Sequence, residues 1–123
     1  MQAIHQHLLV KATVYLAPKV AEELNDWLRN LVSAIGMKVC IEPRSIYVNA
    51  DGNQGLTGQV GIETSHIAIH IWDEQIPSVV QMDVYSCHSF EEAVVKEALN
   101  QWNIATYDSM MIDRAEAPFV IFR

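Results

Sequence analysis

Three isoleucines spaced by two, Ile67, Ile69 and Ile71, constrain this chain more than any other feature. β-Branched residues at a period of two line one face of a strand, so His66, Ala68, His70 and Trp72 line the other. The alternation returns after a polar loop at residues 73–78. Val80, Met82 and Val84 take the core side, with Asp83, Tyr85 and Cys87 opposite. Strands joined over so short a distance pair antiparallel with like faces matched. A register that satisfies this parity sets His70 opposite Asp83 and His66 opposite Cys87. It gathers Ser65, His66, His70 and Cys87 into one neighbourhood. The pattern predicts a reactive face carried by a strand.

Around this centre, residues 7–16 alternate as a first strand, and Pro18 opens a helix, where its missing N–H costs nothing. Val20, Leu24, Trp27, Leu28, Leu31, Val32 and Ile35 recur at helical spacing, and Gly36 supplies a left-handed exit. Residues 37–42 and 45–49 read as strand pieces interrupted at Pro43, residues 50–55 as a polar loop, and residues 56–64 as the lead into the central strand. Ser89 starts a second helix with Glu92 completing a capping box, and Phe90, Val94, Ala98 and Trp102 mark its buried side. Residues 104–112 form a last strand, followed by an apolar tail at 119–122, docked or held by a partner. Two helices cover one face of such a sheet. The expected fold is therefore an α+β two-layer sandwich, mainly antiparallel, in a single domain over residues 1–123. The uncovered face would carry Lys11, Tyr15, His66, His70, Trp72, Tyr85 and Cys87, a surface suited to a ligand or a subunit contact.

Fifteen acidic residues against eight basic ones, with no basic cluster, argue against nucleic acid as a partner. No apolar run reaches the length of a membrane span and no charged-then-apolar leader is present, so a cytoplasmic protein is expected. Cys40 and Cys87 have neither disulfide-framework nor zinc-knuckle spacing and are expected to be reduced thiols. His66 and His70, four apart on a strand, stand about 13 Å apart and cannot share an ion, so no metal is expected. Ser65 lacks the Gly-x-Ser-x-Gly elbow of a serine hydrolase. Taken singly, Cys87 reads as a small buried hydrophobe, His70 as a hydrogen-bonded sheet residue and Ser65 as a strand-start hydroxyl. Their convergence is what points to function.

Ser65-His66-x-x-x-His70-x-Trp72-x-Glu74, preceded by Gly55-Leu56-Thr57-Gly58 and followed by Asp83-x-x-x-Cys87, resembles the small prokaryotic S-adenosylmethionine decarboxylases. That family carries Ser-His-x-x-x-His-x-x-Pro-Glu, an upstream Gly-x-Ser-Gly and a downstream Asp-x-x-x-Cys-Gly. The resemblance implies a self-processing enzyme that feeds polyamine (spermidine) synthesis. The Ser65 hydroxyl would attack the carbonyl of Thr64, and β-elimination would split the chain and leave a pyruvoyl cofactor at position 65. By match, His70 assists the elimination, Thr57 stands for a processing serine, Cys87 donates the proton after decarboxylation, and Glu74 binds the substrate ribose. The resemblance also implies a homodimer whose sites combine residues of both subunits. A pyruvoyl carbonyl suits this reaction because it condenses with an α-amino group and delocalises the carbanion left by carbon dioxide.

The chain departs from the family pattern at several places. Thr64 stands where the family has glutamate, Thr57 where it has serine, Asp73 where it has proline, and His88 where it has glycine. Residues 50–54 lack the aromatic that stacks on adenine in relatives. Three readings stay open: a decarboxylase of S-adenosylmethionine, a pyruvoyl decarboxylase of another amino acid such as ornithine or arginine, and a non-processing relative serving as a binding or regulatory subunit.

Overall fold

The computed structural model describes residues 4–122. Their elements run β1 (Gln6–Val14), α1 (Ala21–Ala34), β2 (Val39–Val48), β3 (Gly55–Ile62), β4 (Ser65–Trp72), β5 (Ser78–Ser86), α2 (Glu92–Asn100), β6 (Ile104–Asp113) and β7 (Val120–Phe122). The strands form one antiparallel sheet in the order β2-β3-β4-β5-β1-β6-β7. The alternation read from the sequence sets the layers. Leu8, Val10, Ala12 and Val14 of β1, Ile67, Ile69 and Ile71 of β4, and Val80, Met82 and Val84 of β5 all face the core beneath the helices. This is the expected α+β fold, with one sheet face left uncovered.

α1 starts three residues later than Pro18 suggests, and Val20, just before its first turn, is exposed. Its apolar stripe, Leu24, Trp27, Leu28, Leu31 and Val32, is buried as its spacing predicts, and Gly36 takes the left-handed exit. The helix approaches β3 closely because Gly58 has no side chain: a Cβ there would lie 2.8 Å from a Leu24 methyl and 2.6 Å from Ser45 Oγ. The Ser45 hydroxyl in turn donates to buried Asn25 Oδ1 at 2.7 Å. α2 begins at Glu92, without the expected capping box. The Glu92 carboxylate is instead taken by Tyr107 and Ser109 of β6, both at 2.7 Å. Val95 and Leu99 are the fully buried side of α2, while Val94 and Ala98 are partly buried. Trp27 and Trp102 stack with centroids 4.4 Å apart, and Trp27 Nε1 donates to the Ala98 carbonyl at 3.0 Å, tying the two helices together.

The two strand pieces expected around Pro43 are one strand, β2. It lies at the sheet edge and absorbs the proline in register shifts between Val39 and Arg44, where a missing donor is tolerated. The apolar tail forms β7 on β6, with its side chains exposed. No helix among the described residues is long and apolar enough to cross a membrane.

Candidate active site

The register between β4 and β5 differs by two residues from the expected one. His66 pairs with Tyr85, Ala68 with Asp83 and His70 with Gln81. A shift by two keeps every side chain on its face, so the faces are as expected while the neighbours change. The loop that joins these strands, residues 73–77, decides the offset, and its geometry is not encoded in the alternation. As a result the residues gathered by parity fall into three groups along the uncovered face and its margins.

The first group sits at the turn from β3 to β4. Ile62 pairs with Ser65, so Glu63 and Thr64 alone make the turn. Thr64 has φ +61°, a left-handed conformation that a β-branched residue adopts only under strain, at a cost of about 1–3 kcal/mol. Its hydroxyl donates to the Glu63 carbonyl at 2.7 Å, and Ser65 Oγ donates to the same oxygen at 3.1 Å. Thr64 Oγ1 and Cys87 Sγ lie 2.6 Å apart in a further hydrogen bond, and the thiol also reaches the Glu63 carbonyl, donating to it at 3.7 Å. Cys87 Sγ lies 4.0 Å from Ser65 Oγ. The thiol thus meets Ser65 as expected, although it stands across from Thr64 rather than His66.

The second group lies at the other end of β4. Thr57 pairs with His70, and Thr57 Oγ1 is 3.2 Å from His70 Nδ1. Trp72 packs beside the His70 ring at 6.0 Å and donates from Nε1 to Asn53 Oδ1 at 3.2 Å. Glu74 accepts from the Gln54 amide at 3.1 Å and lines a cavity with Gly52, Trp72, Gln75 and Val79. Beside it, the Tyr47 hydroxyl donates to the Asp73 carboxylate, which raises the Tyr47 pKa above its ordinary value. Five residue steps along the strand separate His70 from Ser65, roughly 16 Å. Within one chain, therefore, His70, Thr57 and Glu74 do not join Ser65 and Cys87.

The third group joins His66 and Asp83, which spacing put on this face, to His7 and Arg114, which it did not single out. Asp83 Oδ1 accepts from His66 Nε2 at 2.8 Å and from His7 Nε2 at 3.2 Å. Arg114 Nη1 donates to His7 Nδ1 at 3.2 Å while its guanidinium lies 4.3 Å above the Tyr85 ring. His5 Nδ1 reaches the Tyr85 hydroxyl at 2.8 Å. The potential donor atoms of His7, His66 and Asp83 lie within 4.8 Å of one another, as a metal would require. Arg114 decides against coordination by His7 as arranged. A guanidinium only donates, so His7 Nδ1 accepts, Nε2 carries the ring proton, and no lone pair remains there for an ion. His7 is 59 positions from His66 in sequence, and only the placement of β1 beside β5 brings them together.

A family model described as S-adenosylmethionine decarboxylase matches residues 13–115. The S-adenosylmethionine decarboxylase proenzyme of Acetivibrio thermocellus is 31% identical over 111 residues, which cover 87% of this chain and 77% of that protein. The proenzyme of the same description from Caldicellulosiruptor saccharolyticus is 24% identical over 112 residues, 91% of this chain and 81% of that protein. The crystal structure of the adenosylmethionine decarboxylase from Aquifex aeolicus superposes with a TM-score of 0.70 at 22% identity, covering 90% of each chain, which establishes the shared fold.

Proposed function

The chain belongs to the S-adenosylmethionine decarboxylase family, and from that premise we propose that it is a self-cleaving carboxy-lyase acting on S-adenosylmethionine in polyamine synthesis in the cytoplasm. The observation that carries this reading is the turn at Thr64–Ser65. A serine hydroxyl follows a carbonyl whose residue is held at φ +61°, with a thiol 4.0 Å from that hydroxyl. Ser65 Oγ would bond to the Thr64 carbonyl carbon as the Thr64–Ser65 C–N bond breaks and its nitrogen takes the proton. Loss of the Ser65 α-proton then expels the Thr64 carboxylate. Hydrolysis of the resulting unsaturated residue releases ammonia and leaves a pyruvoyl group. The site fits this group: Ser65 is its source, and Cys87 stands within a short movement of it. When present, the group supplies an electron sink for loss of carbon dioxide. Cys87 holds the proton for the carbon that remains, and Glu74 offers a carboxylate to ribose hydroxyls.

The roughly 16 Å between Ser65 and His70 supports a composite homodimer site. A two-fold axis can set Ser65 and Cys87 of one copy against Thr57, His70 and Glu74 of the other. The uncovered, partly aromatic sheet face is the surface available for that contact.

Intact mass under denaturing conditions tests the cleavage directly. The protein should give fragments of residues 1–64 and 65–123, and the Ser65→Ala variant a single chain. A single full-length chain in both samples, after prolonged incubation, overturns the proposal in favour of a non-processing relative.

A further inference from the structure

We infer that His66 is a further acid–base residue of the Ser65 site, held in one tautomer by a relay through Asp83 and His7 to Arg114. This inference rests on the function proposed above. The relay has a fixed direction. Arg114 donates to His7 Nδ1, which leaves the His7 proton on Nε2, and that proton goes to Asp83 Oδ1. An ionised carboxylate only accepts, so the His66 Nε2 that meets the same oxygen must also carry a proton. The lone pair of neutral His66 is thereby placed on Nδ1, which makes no hydrogen bond among the described residues. A carboxylate that fixes the far nitrogen of an imidazole so that the near one can move a proton is the arrangement of hydrolytic triads.

The placement matches that purpose. The His66 side chain is half exposed, and with Ser65 it lines one cavity that also takes in Glu42, Arg44, Gln59 and Gly61. Gly61 pairs with His66, and the Ile41 side chain of β2 lies over Gly61 and walls the cavity on that side. The ring is kept in position by edge packing on His7, with centroids 6.0 Å apart, and by Tyr85 at 5.8 Å. The other charged or titratable groups close to it are Asp83, His7 and Tyr85, with Arg44 and Glu42 of β2 across the cavity.

The reaction that opens turnover needs such a group. The α-ammonium of the substrate must lose a proton before its nitrogen can bond to the carbonyl carbon at position 65. His66 Nδ1 takes that proton, the nitrogen lone pair forms the C–N bond, and the carbonyl oxygen leaves as water. Two hydrogens of the nitrogen depart in that water, one of them returned by His66. The balance requires no further reactant.

Two measurements test the inference. In the uncleaved Ser65→Ala chain, ¹⁵N shifts of the imidazole rings should show His66 and His7 protonated on Nε2 when neutral, and Asp83→Asn should turn His66 into a mixture of tautomers. His66 found with its proton on Nδ1 overturns the relay. In cleaved protein, C–N bond formation is read by trapping S-adenosylmethionine with cyanoborohydride and weighing the adduct on fragment 65–123. His66→Gln and His66→Ala should cleave normally yet trap about 10²-fold more slowly or worse, and added imidazole should restore part of the rate to His66→Ala. Trapping within about twofold of the parent protein overturns the assignment. So does a failure of both variants to cleave, because it moves His66 to the cleavage step. If the parent protein itself stays whole, the proposed function fails, while the shifts in Ser65→Ala still judge the relay on its own.

Discussion

A composite site makes a prediction that a site within one chain cannot satisfy. Consider one chain carrying Cys87→Ala and a second carrying His70→Ala, each inactive as a homodimer. When a site draws Cys87 from one copy and His70 from the other, the mixed dimer holds one site with both defects and one with neither. Coexpression in equal amounts makes about half of the dimers mixed, so about a quarter of all sites are of parent type. Activity should return to about that fraction. Cleavage gives an independent reading with differently tagged chains. The His70→Ala chain should stay whole as a homodimer, yet be cut when its partner is Cys87→Ala, because its own Ser65 then faces an intact His70. The separation of roughly 16 Å along β4 leaves no other way for His70 to reach Ser65 without unpairing the strand. Mixed dimers isolated through both tags that show neither recovered activity nor cleavage of the His70→Ala chain would refute the reasoning.

Further predictions concern packing and pH. Gly58→Ala, made in Ser65→Ala to keep the chain whole, should cost about 2–3 kcal/mol by forcing α1 off β3 and disturbing the Ser45–Asn25 bond, and should lower the urea midpoint without changing the slope. Trp102→Ala removes the stack on Trp27 and should cost about 3–5 kcal/mol, read by the same unfolding curves. Tyr107 is held well above its ordinary pKa, first by burial and then by its hydrogen bond to Glu92. A phenol raised in the folded state contributes stability that is complete below its unfolded pKa and lost as pH climbs toward the folded one. The protein should therefore weaken above about pH 10 more steeply than Tyr107→Phe, as thermal melts across that range will report.

Alternation made the faces legible. Ile67, Ile69 and Ile71 fell inward with Val80, Met82 and Val84, and His66 and His70 outward. Helical spacing likewise located α1 and its buried stripe. Parity is silent about displacements of two, so the β4–β5 register and every cross-strand neighbour depended on the conformation of residues 73–77. Glu92 has the spacing of a capping residue, but two hydroxyls of the next strand, 15 and 17 positions on, compete for its carboxylate and win. The motif around Ser65 named residues that sit at opposite ends of one strand. A linear pattern carries no record of which chain each residue serves. His7 and Arg114 are 107 positions apart, and their meeting comes from strand order alone.

That strand order has a consequence for what cutting does to the molecule. The segment ending at Thr64 owns β1, and β1 lies between β5 and β6, both of which belong to the segment beginning at Ser65. The two pieces are dovetailed: one contributes a nine-residue tenon and the other both walls of the mortise. The bond that the proposed cut would remove at the turn is thus mechanically redundant, since separating the halves means stripping two ladders at once and opening the core. Cleavage changes the covalent description of the protein while leaving it, as a physical object, in one piece.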